Sequence, residues 1–145
     1  MITIRTARKE DYEEIMHLYG IFVDNDKRFA NFDNDSYDKV LNDSNAVFEV
    51  AVDNDKIVGL IAYSFRNVVR YPKPIVEVDE FFVLEEYRRQ KVGTKLMEQV
   101  FKTAKEKDCQ CVYLASGMDK ERKIAHIFYE KYDFDKYGFH FKKTL

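Results

Sequence analysis

Cysteine, proline and glycine are scarce in this 145-residue chain, and it carries neither a large charge excess nor a long apolar run. The two cysteines, Cys109 and Cys111, stand alone as a C-x-C pair. Without a further Cys or His cluster they lack the tetrahedral spacing of a zinc site, so they read as reduced thiols in or near the core and no metal is expected. No apolar run approaches the ~20 residues that span a bilayer, and the N-terminus has no signal-peptide core. No membrane partner is therefore expected, and the expected location is cytoplasmic. A net charge of −2 gives no general nucleic-acid-binding face. Neither a P-loop nor the G-x-G-x-x-G fingerprint is present. An EF-hand starting at Asp24 fails because Arg28 and Phe29 occupy its fifth and sixth positions. His17, His126 and His140 are scattered, and no Ser–His–Asp or Cys–His set is readable. Repeats, linkers and low-complexity stretches are also missing, so residues 1–145 read as one domain.

What the chain does have is an ordered alternation of elements. Residues 2–5 alternate as a strand. Residues 10–23 read as a helix with Ile15, Leu18, Tyr19 and Phe22 on one face. A short helix follows over residues 36–41, with Asn34 or Asp35 as its cap. Residues 46–52 and 57–65 read as a hairpin around Asp53-Asn54-Asp55-Lys56. Tyr71-Pro72-Lys73-Pro74 interrupts the chain before a strand at 75–83. Val92, Leu96, Met97, Val100, Phe101 and Ala104 give residues 91–106 one apolar helical face. A strand at 109–115, a helix ending near Lys131 and a strand at 139–142 complete an α/β (α+β) order.

The richest stretch joins the 75–83 strand to the following helix. The strand ends in a short basic turn, and Arg88-Arg89-Gln90-Lys91-Val92-Gly93-Thr94 runs from that turn into the start of the helix. A helix start offers backbone N–H groups and a partial positive charge, and the basic side chains add full charge. Gly93 permits close approach. That combination suits a diphosphate. Charge is uneven in the other direction too: residues 24–38 hold five aspartates, whereas residues 88–95 hold four basic side chains. Two different ligands fit this asymmetry. On the 75–83 strand, period two puts Glu77, Asp79 and Phe81 on one face, the two carboxylates about 7 Å apart, with Glu80 facing the other way.

The turn resembles the coenzyme A loop of the GCN5-related N-acetyltransferases, Arg/Gln-x-x-Gly-x-Gly/Ala. Arg88 and Gly93 match, and Lys91 replaces the first glycine. Downstream, Ala125-His126-Ile127-Phe128-Tyr129-Glu130-Lys131-Tyr132-Asp133-Phe134 resembles the family's A-x-x-F-Y-x-x-x-G-F segment, with Asp133 in place of glycine. The resemblance covers nearly the whole chain. It implies a central mixed sheet splayed at its middle, with helices on both faces, and acetyl-CoA as co-substrate. It implies that Arg88, Arg89, Gln90, Lys91, Val92, Gly93 and Thr94 hold the diphosphate. The backbone of Phe82 and Val83 would pair with the pantetheine arm. Arg122 stands where the family often has asparagine, and could reach a phosphate or face solvent. Tyr129 would lie near the thioester sulfur, where a phenol can protonate the leaving thiolate.

Amine acetylation needs a base, because an ammonium has no lone pair. Glu77 and Asp79 are the candidates, directly or through water. No activated nucleophile is apparent, so direct transfer is expected. Asp24, Asp26, Asp33 and Asp35 lie in or beside the loop that borders the acceptor site in the family. They favour a small cationic primary amine such as a polyamine, an aminoglycoside or another amino sugar. Alternatives are a protein lysine or N-terminus as acceptor, a non-catalytic acyl-CoA-binding module, and a domain that mainly mediates assembly. A homodimer is an expected arrangement, since family members often dimerise.

Overall fold

The structure is a computed structural model and describes residues 1–23, 33–116 and 123–145. Its elements are β1 (Ile2–Thr6), α1 (Tyr12–Val23), α2 (Asn34–Asn42), β2 (Ala46–Asp53), β3 (Lys56–Arg66), β4 (Ile75–Val83), α3 (Val92–Glu106), β5 (Val112–Leu114) and α4 (Lys123–Lys131). Short 3-10 turns at Lys9–Asp11 and Glu85–Gln90 lead into α1 and α3. The strands form one mixed sheet in the order β1-β2-β3-β4-β5. The pairings from β1 to β4 are antiparallel. Two compact units are present, Met1–Tyr113 and Leu114–Leu145.

The expected β2–β3 hairpin closes through Asn54 and Asp55, at φ 47° and 65°. Two left-handed central residues are what a type I′ turn requires, and Asn and Asp adopt that conformation more readily than most residues. α2 begins at Asn34, capped by Asp33 rather than by Asn34 or Asp35: Asp33 Oδ1 accepts from Ser36 N–H at 2.8 Å. The cap spacing, three residues to the donor, selects Asp33. Arg5 clamps Asp11 with two hydrogen bonds, at 2.7 and 2.9 Å, and joins β1 to the turn before α1.

Directly opposed residues in antiparallel strands share a face. One face of the sheet receives α1 and α2. Phe22 of α1 stacks on Phe82 with ring centroids 5.2 Å apart, and Tyr37 of α2 meets Phe48 edge-on at 5.8 Å. α3 covers the other face with Val92, Leu96, Met97 and Val100 fully buried. It lies close because Gly59 has no side chain: a Cβ there would sit 3.2 Å from the Phe82 carbonyl oxygen and 3.3 Å from Leu96 Cδ1.

β5 has three residues, fewer than the expected 109–115 strand, against nine in β4. Its approach is marked by Gln110 N–H to Pro74 O and Val76 N–H to Cys111 O. Those bonds lie at the Ile75 end of β4, so a ladder of three residues stops well short of Val83. This is the splay expected from the resemblance.

Unit Leu114–Leu145 carries α4 and a C-terminal segment without helix or strand. The expected strand at 139–142 is not formed. Alternating aromatics signal a strand only if a second backbone supplies a ladder, and here Phe139 and Phe141 stand exposed.

Candidate active site

β4 ends at Val83, and Leu84 N–H returns to Val58 O of β3 at 3.0 Å. The chain then makes the Glu85–Gln90 turn. Arg88 Nε donates to Val83 O at 3.0 Å, and its guanidinium lies 5.8 Å over the Phe82 ring. This arginine therefore ties the loop back onto the strand it leaves. Lys91 follows in the left-handed region, φ 60° and ψ 23°, and reverses the chain into α3. The first intrahelical bond to Lys91 is Lys95 N–H to its carbonyl, at 3.0 Å. The N–H groups of Val92, Gly93 and Thr94 precede it, at the helix positions that have no intrahelical acceptor.

The expected cofactor residues thus divide into three kinds. Arg88, Arg89, Gln90 and Lys91 are exposed around the helix start. Gln90 Nε2 donates to Glu86 O at 3.3 Å. Val92 is fully buried, and Phe82 and Val83 are also core side chains, so these three can offer only backbone groups. Gly93 lies inside α3 and needs no left-handed conformation. A cluster of helix-start N–H groups with Arg89, Lys91 and Lys95 exposed on the same short stretch of chain fits a diphosphate by its chemistry.

The second locus is the middle of β4. Ala62 of β3 pairs with Glu80, but the next residue, Tyr63, pairs with Val78. Asp79 is therefore an extra residue, a β-bulge. The bulge corrects the expected side-chain alternation. Glu77 pairs with Ser64, Glu80 with Ala62 and Phe82 with Leu60, so all three share the α1 face. Asp79 joins them, because its Oδ2 accepts from Ser64 Oγ at 3.2 Å. Phe81 pairs with Ile61 and turns to the α3 face instead. Three carboxylates, not two, gather on one face.

Their surroundings differ. Glu77 is held by Arg66 at 3.0 Å. Asp79 is exposed as a whole residue, yet partial desolvation of its carboxyl raises it above the usual range; the Ser64 hydroxyl opposes this, and Glu77 adds to it. Glu80 is half-buried beside Tyr19 of α1. Burial raises Glu80 as well, with Tyr19 opposing and Asp79 reinforcing. Tyr19 is pushed far above its ordinary value by the same burial and by Glu80. Sequence reasoning missed Glu80 and Tyr19. The α1 stripe contained Tyr19, but nothing local announced its partner.

Among the loop aspartates, Asp33 caps α2 and Asp35 pairs with Lys39 at 3.1 Å. Asp24, Asp26 and Arg122 lie outside the described residues. Tyr129 is half-buried on α4, its ring set edge-on to Phe128 and to Phe134, each at 5.8 Å. A surface cavity of about 290 Å³, lined by Ser44, Asn45, Phe65, Pro74, Lys107 and Cys109, shares no residue with these loci. Among the described residues no group of three or more metal-binding side chains converges, and no helix is long and apolar enough to cross a membrane.

The model of the acetyltransferase (GNAT) family matches residues 3–134. The chain belongs to that family. It is an acyltransferase, and its family uses acetyl-CoA as co-substrate. Over 142 residues it is 26% identical to the aminoalkylphosphonate N-acetyltransferase of Salmonella typhimurium, covering 98% of this chain and 90% of that protein. It is 28% identical over 141 residues to an N-alpha-acetyltransferase of Saccharolobus solfataricus, covering 92% and 80%. The fold superposes with a TM-score of 0.83 on an aminoglycoside acetyltransferase from an uncultured soil metagenomic sample, solved with sisomicin; identity is 23%, over 99% of this chain and 96% of that one.

Both departures from the GNAT glycine pattern fall at left-handed residues, Lys91 at φ 60° and Asp133 at φ 62°. Those are positions where glycine avoids a Cβ clash. Asp133 closes α4 in a Schellman turn, with Asp133 N–H to Glu130 O and Phe134 N–H to Tyr129 O, and with Phe134 packed on Tyr129. The helix that bears Tyr129 thus ends at a left-handed residue, Asp133, where the family pattern has glycine.

Proposed function

We propose that this GNAT enzyme acetylates a primary amine of a small cationic acceptor, such as an aminoglycoside, another amino sugar or a polyamine, by direct transfer. The observation that carries the reading is the cluster of Glu77, Asp79 and Glu80 on one face of β4. Three carboxylates with one paired cation, Arg66, attract an ammonium. In this reading the N–H groups of Val92, Gly93 and Thr94, with Arg89 and Lys91, hold the diphosphate. The backbone beside Phe82 and Val83 lies along the pantetheine arm. Tyr129 donates its phenolic proton to the departing thiolate, because a phenol stays protonated at neutral pH.

A second reading has its own support: the Salmonella relative is named for aminoalkylphosphonates. Such an acceptor carries an anion beside its amine and needs a free cation near the carboxylates, whereas Arg66 is engaged by Glu77. A panel decides. Coenzyme A release is followed with sisomicin, spermidine, 2-aminoethylphosphonate and a peptide with a free N-terminus. The proposal expects turnover with sisomicin or spermidine at far lower concentrations than with the other two. Preference for 2-aminoethylphosphonate or the peptide overturns it.

A further inference from the structure

We infer that Arg70, Tyr71 and Tyr113 form an acceptor subsite for hydroxyl groups beside the carboxylates of β4, and that it selects an amino sugar over a polyamine. This rests on the acetyl-transfer reading above and deepens it. All three residues lie outside the two segments that resemble the family's motifs.

The loop after β3 supplies two of them. Tyr71 N–H closes a turn on Val68 O at 3.2 Å. From that turn the Tyr71 hydroxyl meets that of Tyr113 on β5 at 2.8 Å, so the loop lies against the Ile75 end of β4 and β5. The Arg70 guanidinium lies 5.3 Å over the Tyr71 ring and 5.9 Å over the Tyr113 ring.

Tyr113 ties the group to the carboxylates. The sheet is mixed and its other pairings are antiparallel, so β4 and β5 run parallel. In a parallel ladder the bond from Val76 N–H to Cys111 O sets Val112 beside Val76, and hence Tyr113 beside Glu77. Lateral neighbours in a sheet share a face, so Tyr113 stands on the face of Glu77, one strand spacing of about 4.8 Å away. Asp79 lies about 7 Å farther along β4 on that face.

The chemistry of the group separates two acceptor classes. A polyamine is bound through its ammonium groups, by carboxylates or by the face of an aromatic ring. Here each tyrosine ring already carries the Arg70 guanidinium, and that cation repels a second one. The group offers polar edges instead. A phenol hydroxyl both donates and accepts, as a sugar hydroxyl does, and a guanidinium donates. An amino sugar whose amine sits at Glu77 and Asp79 places its ring hydroxyls against these edges. A polyamine uses the carboxylates alone and meets a cation beside them.

Specificity ratios test the subsite. kcat/KM is measured for sisomicin and for spermidine in the wild type and in Tyr71→Phe, Tyr113→Phe and Arg70→Met, with acetyl-CoA titration confirming that each variant is folded. The wild type is expected to prefer sisomicin. Each loss of a phenol hydroxyl is expected to lower the sisomicin-to-spermidine ratio roughly 3- to 10-fold, the worth of one hydrogen bond. Arg70→Met is expected to lower the same ratio, with a gain of about threefold on the spermidine side because a repelling charge is gone. Loosened packing lowers both substrates together and leaves the ratio where it was. If Tyr113→Phe, on the sheet, fails to bind acetyl-CoA, Tyr71→Phe breaks the same hydroxyl pair from the loop and carries the test. A wild type that prefers spermidine, or ratios unchanged in all three variants, overturns the subsite and leaves amine acetylation standing. Turnover of 2-aminoethylphosphonate that depends on Arg70 overturns it too, since the guanidinium would then serve an anion. A wild type that binds acetyl-CoA but acetylates no amine overturns the reading beneath it as well.

Discussion

Lys91→Gly is expected to make the protein more stable, although it deletes a side chain from the most basic loop in the chain. Lys91 sits at φ 60° and ψ 23°, at the junction where the Glu85–Gln90 turn enters α3. An L-residue in that region costs about 1–2 kcal/mol from the approach of Cβ to the following carbonyl. Glycine removes the cost but adds about 0.5–1 kcal/mol of chain entropy to the unfolded state. The net gain is therefore about 0–1.5 kcal/mol, or up to roughly 6 °C in melting temperature for a chain of this size. Lys91→Ala is the control, because it removes the same charge and keeps the Cβ. Thermal unfolding by circular dichroism should rank glycine above both lysine and alanine. Acetyl-CoA titration of the same three proteins separates charge from conformation: if the ammonium assists the diphosphate, glycine and alanine weaken binding alike. Glycine melting no higher than alanine would refute the claim that this residue is strained.

Gly59→Ala is expected to destabilise by about 1–3 kcal/mol in chemical denaturation, since its methyl would press on the Phe82 carbonyl and on Leu96 at contacts near 3.2–3.3 Å. Glu49 is 7% exposed, and burial raises its carboxyl, with only the Tyr63 hydroxyl, 3.3 Å away, opposing. A raised folded value means that stability is fully present below the unfolded value near pH 4.3 and is lost as pH rises through the folded value. Glu49→Gln should therefore raise the melting temperature at pH 7 more than at pH 4; an equal shift at both would contradict the burial argument. Tyr129→Phe keeps the ring contacts with Phe128 and Phe134 and should lower kcat about 10²- to 10⁴-fold while leaving acetyl-CoA affinity nearly unchanged. Activity within twofold of wild type, with chemistry rate-limiting, would remove the hydroxyl from the mechanism.

Much of the fold was legible because its signals are local. The apolar stripes of α1 and α3 needed only a 3.6-residue period, and Ile15, Leu18, Leu96, Met97 and Val100 are fully or almost fully buried as expected. The β2–β3 hairpin was legible from its turn residues. The helix start after β4 was legible from charge and from the family frame. The site's second half was not, because a bulge leaves no mark in an alternating pattern. One extra residue at Asp79 moves Glu80 and Phe81 to opposite faces from those expected, and only the register against β3 reveals it. The nearness of Tyr19 to Glu80 was hidden for the same reason: the fold, not the local pattern, brings them together. The C-terminal alternation misled in the other direction, since Phe139 and Phe141 have strand periodicity but no pairing backbone here.

The central claim is direct acetyl transfer to an amine, and rapid-quench measurement of free coenzyme A tests it in a single experiment. The enzyme is mixed with acetyl-CoA alone, then with acetyl-CoA and a cationic amine such as spermidine or sisomicin. The account predicts no release stoichiometric with enzyme before the amine arrives, and sustained release matched by N-acetylated amine afterwards. A burst equal to the enzyme concentration without amine would contradict direct transfer. Silence with every amine tried would contradict the proposed reaction.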